Sequence, residues 1–205
     1  MKAKSDFNDS ELLRSMLAGD EEALALLYQR RQAGIYRFVL QMTGSPAVAE
    51  DITQEVFMFL MREGHVFDPD RGSVYAFLLG VARNHVLRRL RGEQHFISMP
   101  DELAEGTDSE KSAAFEGPLD NLTRAETIEM VRKAVLSLPA RYREVVVLCE
   151  LEEMSYSEAA EVLGCAIGTV RSRLHRARAL LLERLKPVRE ENESPAAVES
   201  ARCFA

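Results

Sequence analysis

Arg171, Arg173, Arg176, Arg178, Arg184 and Lys186 stand within residues 171–186 against a single acid, Glu183. Thr169, Ser172 and His175 lie among them. Cations clustered without opposing charge attract phosphate, and an Arg that reaches a base edge can donate two parallel hydrogen bonds to it. If Gly168 and Thr169 open a helix, their free amides add donors for a further phosphate. The plain alternative is the solvated face of an ordinary bundle helix. Such a face usually mixes signs, and this one does not, so the pattern favours nucleic acid.

A second set runs from residue 67 to residue 91. Arg71, Arg83, Arg88, Arg89 and Arg91 occur with no acid between Arg71 and Gly92, and Phe67, Tyr75, Phe77 and Asn84 accompany them. Aromatics beside an unopposed Arg run suit single-stranded nucleic acid, where bases stack and phosphates pair. A basic helix C-terminus that complements its own dipole explains Arg88, Arg89 and Arg91 equally well. It accounts less well for Arg71 and Arg83.

The third set suits protein rather than nucleic acid. Between Pro46 and Arg62 the apolar positions Val48, Ile52, Val56 and Phe59 share one helical stripe, with Ala49 and Leu60 beside it. The opposite face carries Glu50, Asp51 and Gln54 together with Phe57, Met58 and Met61. Large apolar groups among acids point to a docking surface. The alternative is a helix buried on both sides.

No other chemistry is legible. There is no Gly-rich phosphate loop, His/Glu metal helix, nucleophile elbow or catalytic triad, so nothing argues for an enzyme or a cofactor. Cys149, Cys165 and Cys203 lack C-x-x-C spacing, and His65, His85, His95 and His175 show no ligand spacing with them. Neither a disulfide framework nor a metal site is expected. The polar stretch Met1–Ser10 lacks an apolar signal core, and no apolar run approaches membrane-span length. We expect a reduced, cytoplasmic protein with no membrane insertion. The net charge of −7 confines nucleic-acid contacts to local basic patches.

Helical periodicity dominates the elements that must hold these sets, and the expected fold is all-α: two small helical domains joined by a flexible linker. A first helix spans Asp9–Ala18 and stops at Gly19. Asp20 caps a second that runs to about Thr43. Gly44-Ser45-Pro46 breaks the chain, with Ser45 as cap and Pro46 at the first helical position. Residues 64–73 form a loop with Asp68-Pro69-Asp70-Arg71-Gly72 turn chemistry, and Ser73 caps a mostly buried helix from Val74 to Arg91. Gly92–Asn121, rich in Gly, Ser, Asp and Glu, reads as an acidic flexible linker. Helix returns over about 122–137 and from Pro139 to about Leu151; Val145-Val146-Val147-Leu148 is β-like in composition, but its flanks are helical. Ser155 or Ser157 caps a short helix, with Glu158 three residues after Ser155. Gly164 ends it, and a second helix runs from Ile167 to about Leu185, closed by Lys186-Pro187. On that helix Val170, Leu174, Ala177, Leu181 and Leu185 form the docking stripe; Thr169, Ser172, His175 and Arg176 lie opposite, with Arg171 and Arg173 on the flanks. The pair is a helix-turn-helix whose second helix suits the major groove. The expected division is 1–91, 92–121, 122–187 and a disordered tail, 188–205.

Two quoted stretches carry a family resemblance. Residues 138–145 (LPARYREV) through 168–178 (GTVRSRLHRAR) resemble region 4 of extracytoplasmic-function sigma factors, and residues 49–57 (AEDITQEVF) with 81–84 (VARN) resemble their region 2. The resemblance covers roughly Asp9–Leu185 apart from the linker. It implies a sigma factor that binds core RNA polymerase, through its β′ and β subunits, and directs promoter-specific initiation. Asp51, Gln54, Glu55, Phe57 and Met58 would hold polymerase. Phe67, Asp70, Arg71, Tyr75, Phe77, Arg83, Asn84 and Arg88 would open and hold the −10 element. Gly168, Thr169, Arg171, Ser172, Arg173, His175 and Arg176 would read the −35 element of promoter DNA. An anti-sigma factor is the further partner implied. Two positions depart from the pattern: Phe77 stands where Trp is frequent, and Ala166 where Pro is common.

A repressor or activator with an amino-terminal sensing domain would need neither the docking face nor the basic aromatic segment. A mimic that only sequesters an anti-sigma factor would need no basic faces. An acidic linker between two basic surfaces also raises a further expectation, that the free chain folds the linker and both domains together and hides those surfaces.

Overall fold

The computed structural model describes residues 6–95 and 124–192, and among them every regular element is helical. No described helix is long and apolar enough to cross a membrane.

Local capping chemistry sets most boundaries. Helix α1 (Asp9–Leu17) starts at a capping box in which the Asn8 Oδ1 accepts from the Glu11 amide at 2.8 Å and the Glu11 carboxylate accepts from the Asn8 amide at 2.7 Å. Helix α2 (Glu21–Thr43) is capped by Asp20, whose carboxylate accepts from the amides of Glu22 and Ala23. Ser45 caps α3 (Pro46–Glu63). Residues 64–73 are more ordered than a plain loop: Gly64–Val66 and Pro69–Arg71 form single 3₁₀ turns, the second capped by Asp68. Ser73 then accepts from the Ala76 amide at 3.1 Å to start α4 (Val74–His95). Gly92 does not stop this helix, because an interior Gly costs only about 1 kcal/mol relative to Ala. Helix α4 therefore runs past the expected start of the linker, and the rest of that expectation, residues 96–121, lies outside the described residues.

The second half comprises α5 (Arg124–Leu136), α6 (Ala140–Val146), a π-helical turn (Val147–Leu151), α7 (Tyr156–Leu163) and α8 (Ile167–Asn192). The β-like run Val145–Leu148 is helical as expected, but it relaxes into the π turn. Ser155 caps α7 and is the N-terminal residue of its capping box; Gly164 closes α7 at φ +63°, where a left-handed conformation favours glycine. One boundary is corrected. Lys186-Pro187 does not end α8, whose backbone stays helical to Asn192. A Pro costs one backbone hydrogen bond, yet its fixed φ is itself helical. Residues 193–205 of the expected tail lie outside the described residues.

The core of the first half gathers Leu12, Leu27, Ile35, Phe38, Val56, Leu60, Leu78 and Val86, and that of the second gathers Leu138, Val145, Leu148, Val162, Val170 and Leu174. Together they form one continuous cluster. The halves pack on each other: α4 lies against α7, and α2 against α5, α6 and the π turn. The halves pack together as expected, but the basic face of α8 stays exposed, and the linker's part in that expectation lies outside the described residues.

Helix α3 buries Ala49, Ile52, Thr53, Val56, Phe57 and Leu60. Phe57 was expected on the outer face, and the structure corrects this. It is 4% exposed and packs on Tyr28, with ring centroids 4.7 Å apart. The reason is that α3 sits between α2 and α4 and so buries a wider arc than a single stripe. Phe57→Ala should therefore cost about 3–5 kcal/mol of stability by chemical denaturation of the full chain. Met58→Ala, at a 48%-exposed position, should stay within about 0.5 kcal/mol of the parent.

The α7 cap offers a second check. Hydrogen bonds from Ser155 hold the Glu158 carboxyl below the ordinary carboxylate range. Stabilisation from a carboxylate lowered in this way is complete above the unfolded-state value and is lost as pH falls through the folded-state value. Ser155→Ala should cost about 1 kcal/mol at neutral pH, with the deficit shrinking in denaturation measured at progressively lower pH.

Candidate nucleic-acid interface

The α8 face is built by burying its opposite side. Val170, Leu174 and Ala177 are essentially inaccessible, which turns Gly168, Arg171, Ser172, His175 and Arg176 to solvent. Thr169 and Arg173 are half-buried at the margins. The Ser172 hydroxyl donates to the Thr169 carbonyl at 3.0 Å. Arg171 lies over the Tyr156 ring at 5.9 Å, on the α7 side. Arg176 lies on the α6 side, where its interaction with the Tyr142 hydroxyl is the chief cause holding that phenol below its ordinary range. Arg178 is tied to Glu150, with its Nε 3.2 Å from the carboxylate. The open face is therefore Ser172 and His175 flanked by Arg171 and Arg176.

The segment 67–91 is less accessible than its sequence implies. Asp70, Arg71, Asn84 and Arg88 are exposed. Phe67 and Phe77 are half-buried and pack edge-on at 5.6 Å, and Phe59 lies beyond Phe77 at 6.3 Å. Tyr75 and Arg83 were expected to face nucleic acid, and in this structure they do not. The Tyr75 hydroxyl donates to Glu152 Oε2 at 3.0 Å, and Arg83 Nε donates to Glu144 Oε2 at 2.9 Å. Tyr75 also lies under the Arg31 guanidinium, 4.8 Å from its ring centre, and is seated against Gly34, where a Cβ would collide with its hydroxyl. Burial first, and then the charge of Glu152, pushes the Tyr75 phenol well above its usual range, so it is a neutral donor at physiological pH.

On α3 the outer face carries Asp51, Gln54, Glu55, Met58 and Met61, all exposed. Glu55 Oε2 is 2.5 Å from His85 Nδ1 across a groove between α3 and α4, which Met58, Phe59, Arg62 and Arg88 also line. Among the described residues no group of His, Cys, Asp or Glu side chains is placed to hold a metal ion.

Sequence reasoning missed the partners that cover Tyr75 and Arg83. Glu144, 2% exposed, was legible only as an acid inside the apolar run that follows it. Glu152 and its second partner, Arg37, carried no signal, since they lie 115 positions apart.

Residues 27–96 match Sigma-70 region 2, and residues 128–181 match Sigma-70, region 4. The chain is 30% identical over 178 residues to the ECF RNA polymerase sigma factor SigW of Bacillus subtilis (strain 168), across 85% of this chain and 95% of the relative. Among solved structures it resembles the sigma factor RpoE from Bartonella quintana, determined in complex with the anti-sigma factor NepR. The identity is 26% and the TM-score 0.58, over 78% of this chain and 94% of that one. It shares the fold of CnrH, determined with the cytosolic domain of CnrY, at 24% identity and a TM-score of 0.65, covering 87% of this chain and 97% of that one. Two matched regions in order, and a relative of this identity spanned almost end to end, place the chain in the extracytoplasmic-function sigma factors of the sigma-70 family.

Proposed function

We propose that the exposed faces divide promoter recognition and polymerase binding among them. Sigma factors regulate transcription by binding core RNA polymerase and directing promoter-specific initiation, rather than by catalysis. The observation that carries the residue assignment is the pair of unlike outward faces: acids with Met on α3, and Arg with short polar residues on α8. Asp51, Gln54, Glu55 and Met58 dock on polymerase, and Phe57 supports that face from beneath. Asp70, Arg71, Asn84 and Arg88 approach the −10 element first, with the half-buried Phe67 and Phe77 beside them; Tyr75 and Arg83 become available as the halves separate. Gly168, Arg171, Ser172, His175 and Arg176 meet the −35 element, with Thr169 and Arg173 at the margins. The working units are the half from α1 to α4 (Asp9–His95) and the half from α5 to α8 (Arg124–Asn192). An anti-sigma factor restrains the chain in the cytoplasm; the RpoE relative was crystallised with such a partner.

In vitro transcription with purified core polymerase on a promoter library tests the whole reading: promoter-specific initiation is expected, and non-specific transcripts alone would overturn it. For docking, Asp51→Ala with Gln54→Ala should weaken polymerase association by about 2 kcal/mol or more, as loss of a central anchor does, while the melting temperature holds. For −35 reading, we expect Arg176→Ala to flatten sequence preference, at about 1–3 kcal/mol of discrimination. Arg171→Ala should weaken all sequences alike and lower the salt slope by about one unit. Binding across −35 variants at several salt concentrations distinguishes the two. An even loss of affinity in Arg176→Ala would reassign reading to Ser172 and His175.

A further inference from the structure

Two of the amino-terminal groups assigned to DNA, Tyr75 and Arg83, are held by carboxylates from the other half. Glu152, with a side chain 4% exposed, accepts from the Tyr75 hydroxyl at 3.0 Å and from Arg37 Nε and Nη2 at 3.2 Å each. Glu144, with a side chain 3% exposed, accepts from Arg83 at 2.9 Å. A third carboxylate, Glu161 on α7, lies so close to Gly72, just ahead of α4, that a Cβ there would collide with it. Arg143 ties the seam in the opposite direction. Its guanidinium donates to the Met42 carbonyl at 2.5 Å, near the end of α2, and to the carbonyls of Leu136 and Leu138.

A carboxylate and a phosphate are recognised by the same donors: each offers anionic oxygens to the planar N–H fork of an Arg and can accept a single O–H from a neutral hydroxyl. Both Glu side chains are buried where they meet groups of the first half, and opening the seam would strip them of those partners. A buried ion pair adds little net stability when its dehydration is counted, though it fixes geometry. Such contacts hold the halves in register and still allow them to part when another anion takes the cationic side.

We propose that Glu144 and Glu152 act as built-in phosphate mimics that occupy Arg83, Arg37 and Tyr75 in the free chain and are exchanged for promoter phosphates once the halves separate. This rests on the promoter-binding reading above. It adds to that reading an intramolecular competitor for the −10 surface, and it adds Arg37 to that surface. The free chain then binds single-stranded DNA weakly because its competent state is a minor one. Apparent affinity scales with the competent fraction.

The test uses the full chain. Glu144→Gln and Glu152→Gln keep shape and remove charge, and Glu21→Gln, at an exposed position on α2, controls for net charge. Two quantities are measured: the radius of gyration by small-angle scattering, and affinity for a short fluorescent single-stranded DNA of random sequence by anisotropy. Either seam variant should expand the chain and tighten DNA binding by about tenfold, the gain expected when a roughly one-tenth competent fraction becomes dominant. Glu21→Gln should do neither. Folded seam variants with the dimensions and affinity of the parent would overturn the proposal. If circular dichroism shows a seam variant unfolded, Arg37→Gln replaces it; Arg37 is 60% exposed on its side chain, so its loss spares the core. For Arg37→Gln, expansion supports the latch and unchanged dimensions overturn it. Initiation by the parent chain at saturating polymerase is scored separately. Its absence refutes the promoter reading, whereas scattering and anisotropy report on the latch.

Discussion

A carboxylate removed from water must find partners, and Glu144 and Glu152 find theirs only across the seam between the two halves. Leaving either unpaired would cost several kcal/mol. Apolar surfaces such as those of α2 and α4 tolerate sliding; charged pairs with directed hydrogen bonds do not. The two acids and Arg143 therefore set the register in which α2 and α4 meet α6, α7 and the π turn. The relaxation of α6 into that turn leads directly into Glu152, which reaches both Arg37 and Tyr75.

This register makes the two nucleic-acid surfaces unequal. The α8 face needs only its own apolar stripe docked, so it is complete and open within the second half. The α4 surface shares Arg83 and the Tyr75 hydroxyl with the seam, and that part of it stays covered while the seam holds, whereas Asp70, Arg71, Asn84 and Arg88 are exposed. The α3 face turns away from the seam. Asp51, Gln54 and Met58 are exposed there, and that face is accessible without opening the seam.

Much of the architecture was legible because it is local. Asp20, Ser45, Ser73 and Ser155 cap helices through amides two or three residues away, and Gly164 ends α7 through its own backbone freedom. The stripe on α8 follows from helical period alone. Elsewhere a local rule was overridden. Phe57 lies on the arc a single-stripe reading assigns to solvent, yet α2 and α4 enclose α3 from two sides and Tyr28 covers it. Pro187 stands where a helix commonly stops, but the backbone carries on in the same helix to Asn192.

By itself, then, the sequence determined the all-α class, the helix-turn-helix, the segregation of Arg onto α8 and of acids with Met onto α3, and the residues that resemble regions 2 and 4. Each of these depends on periodicity, capping or composition within a few turns of chain. Only the tertiary structure decided which of the candidate residues are accessible. Tyr75 and Arg83 have the chemistry the sequence assigns them, but their partners lie 77 and 61 positions away. An ion pair forms where the packed fold brings charges together, and no spacing along one helix records where an acid on a distant turn will be buried.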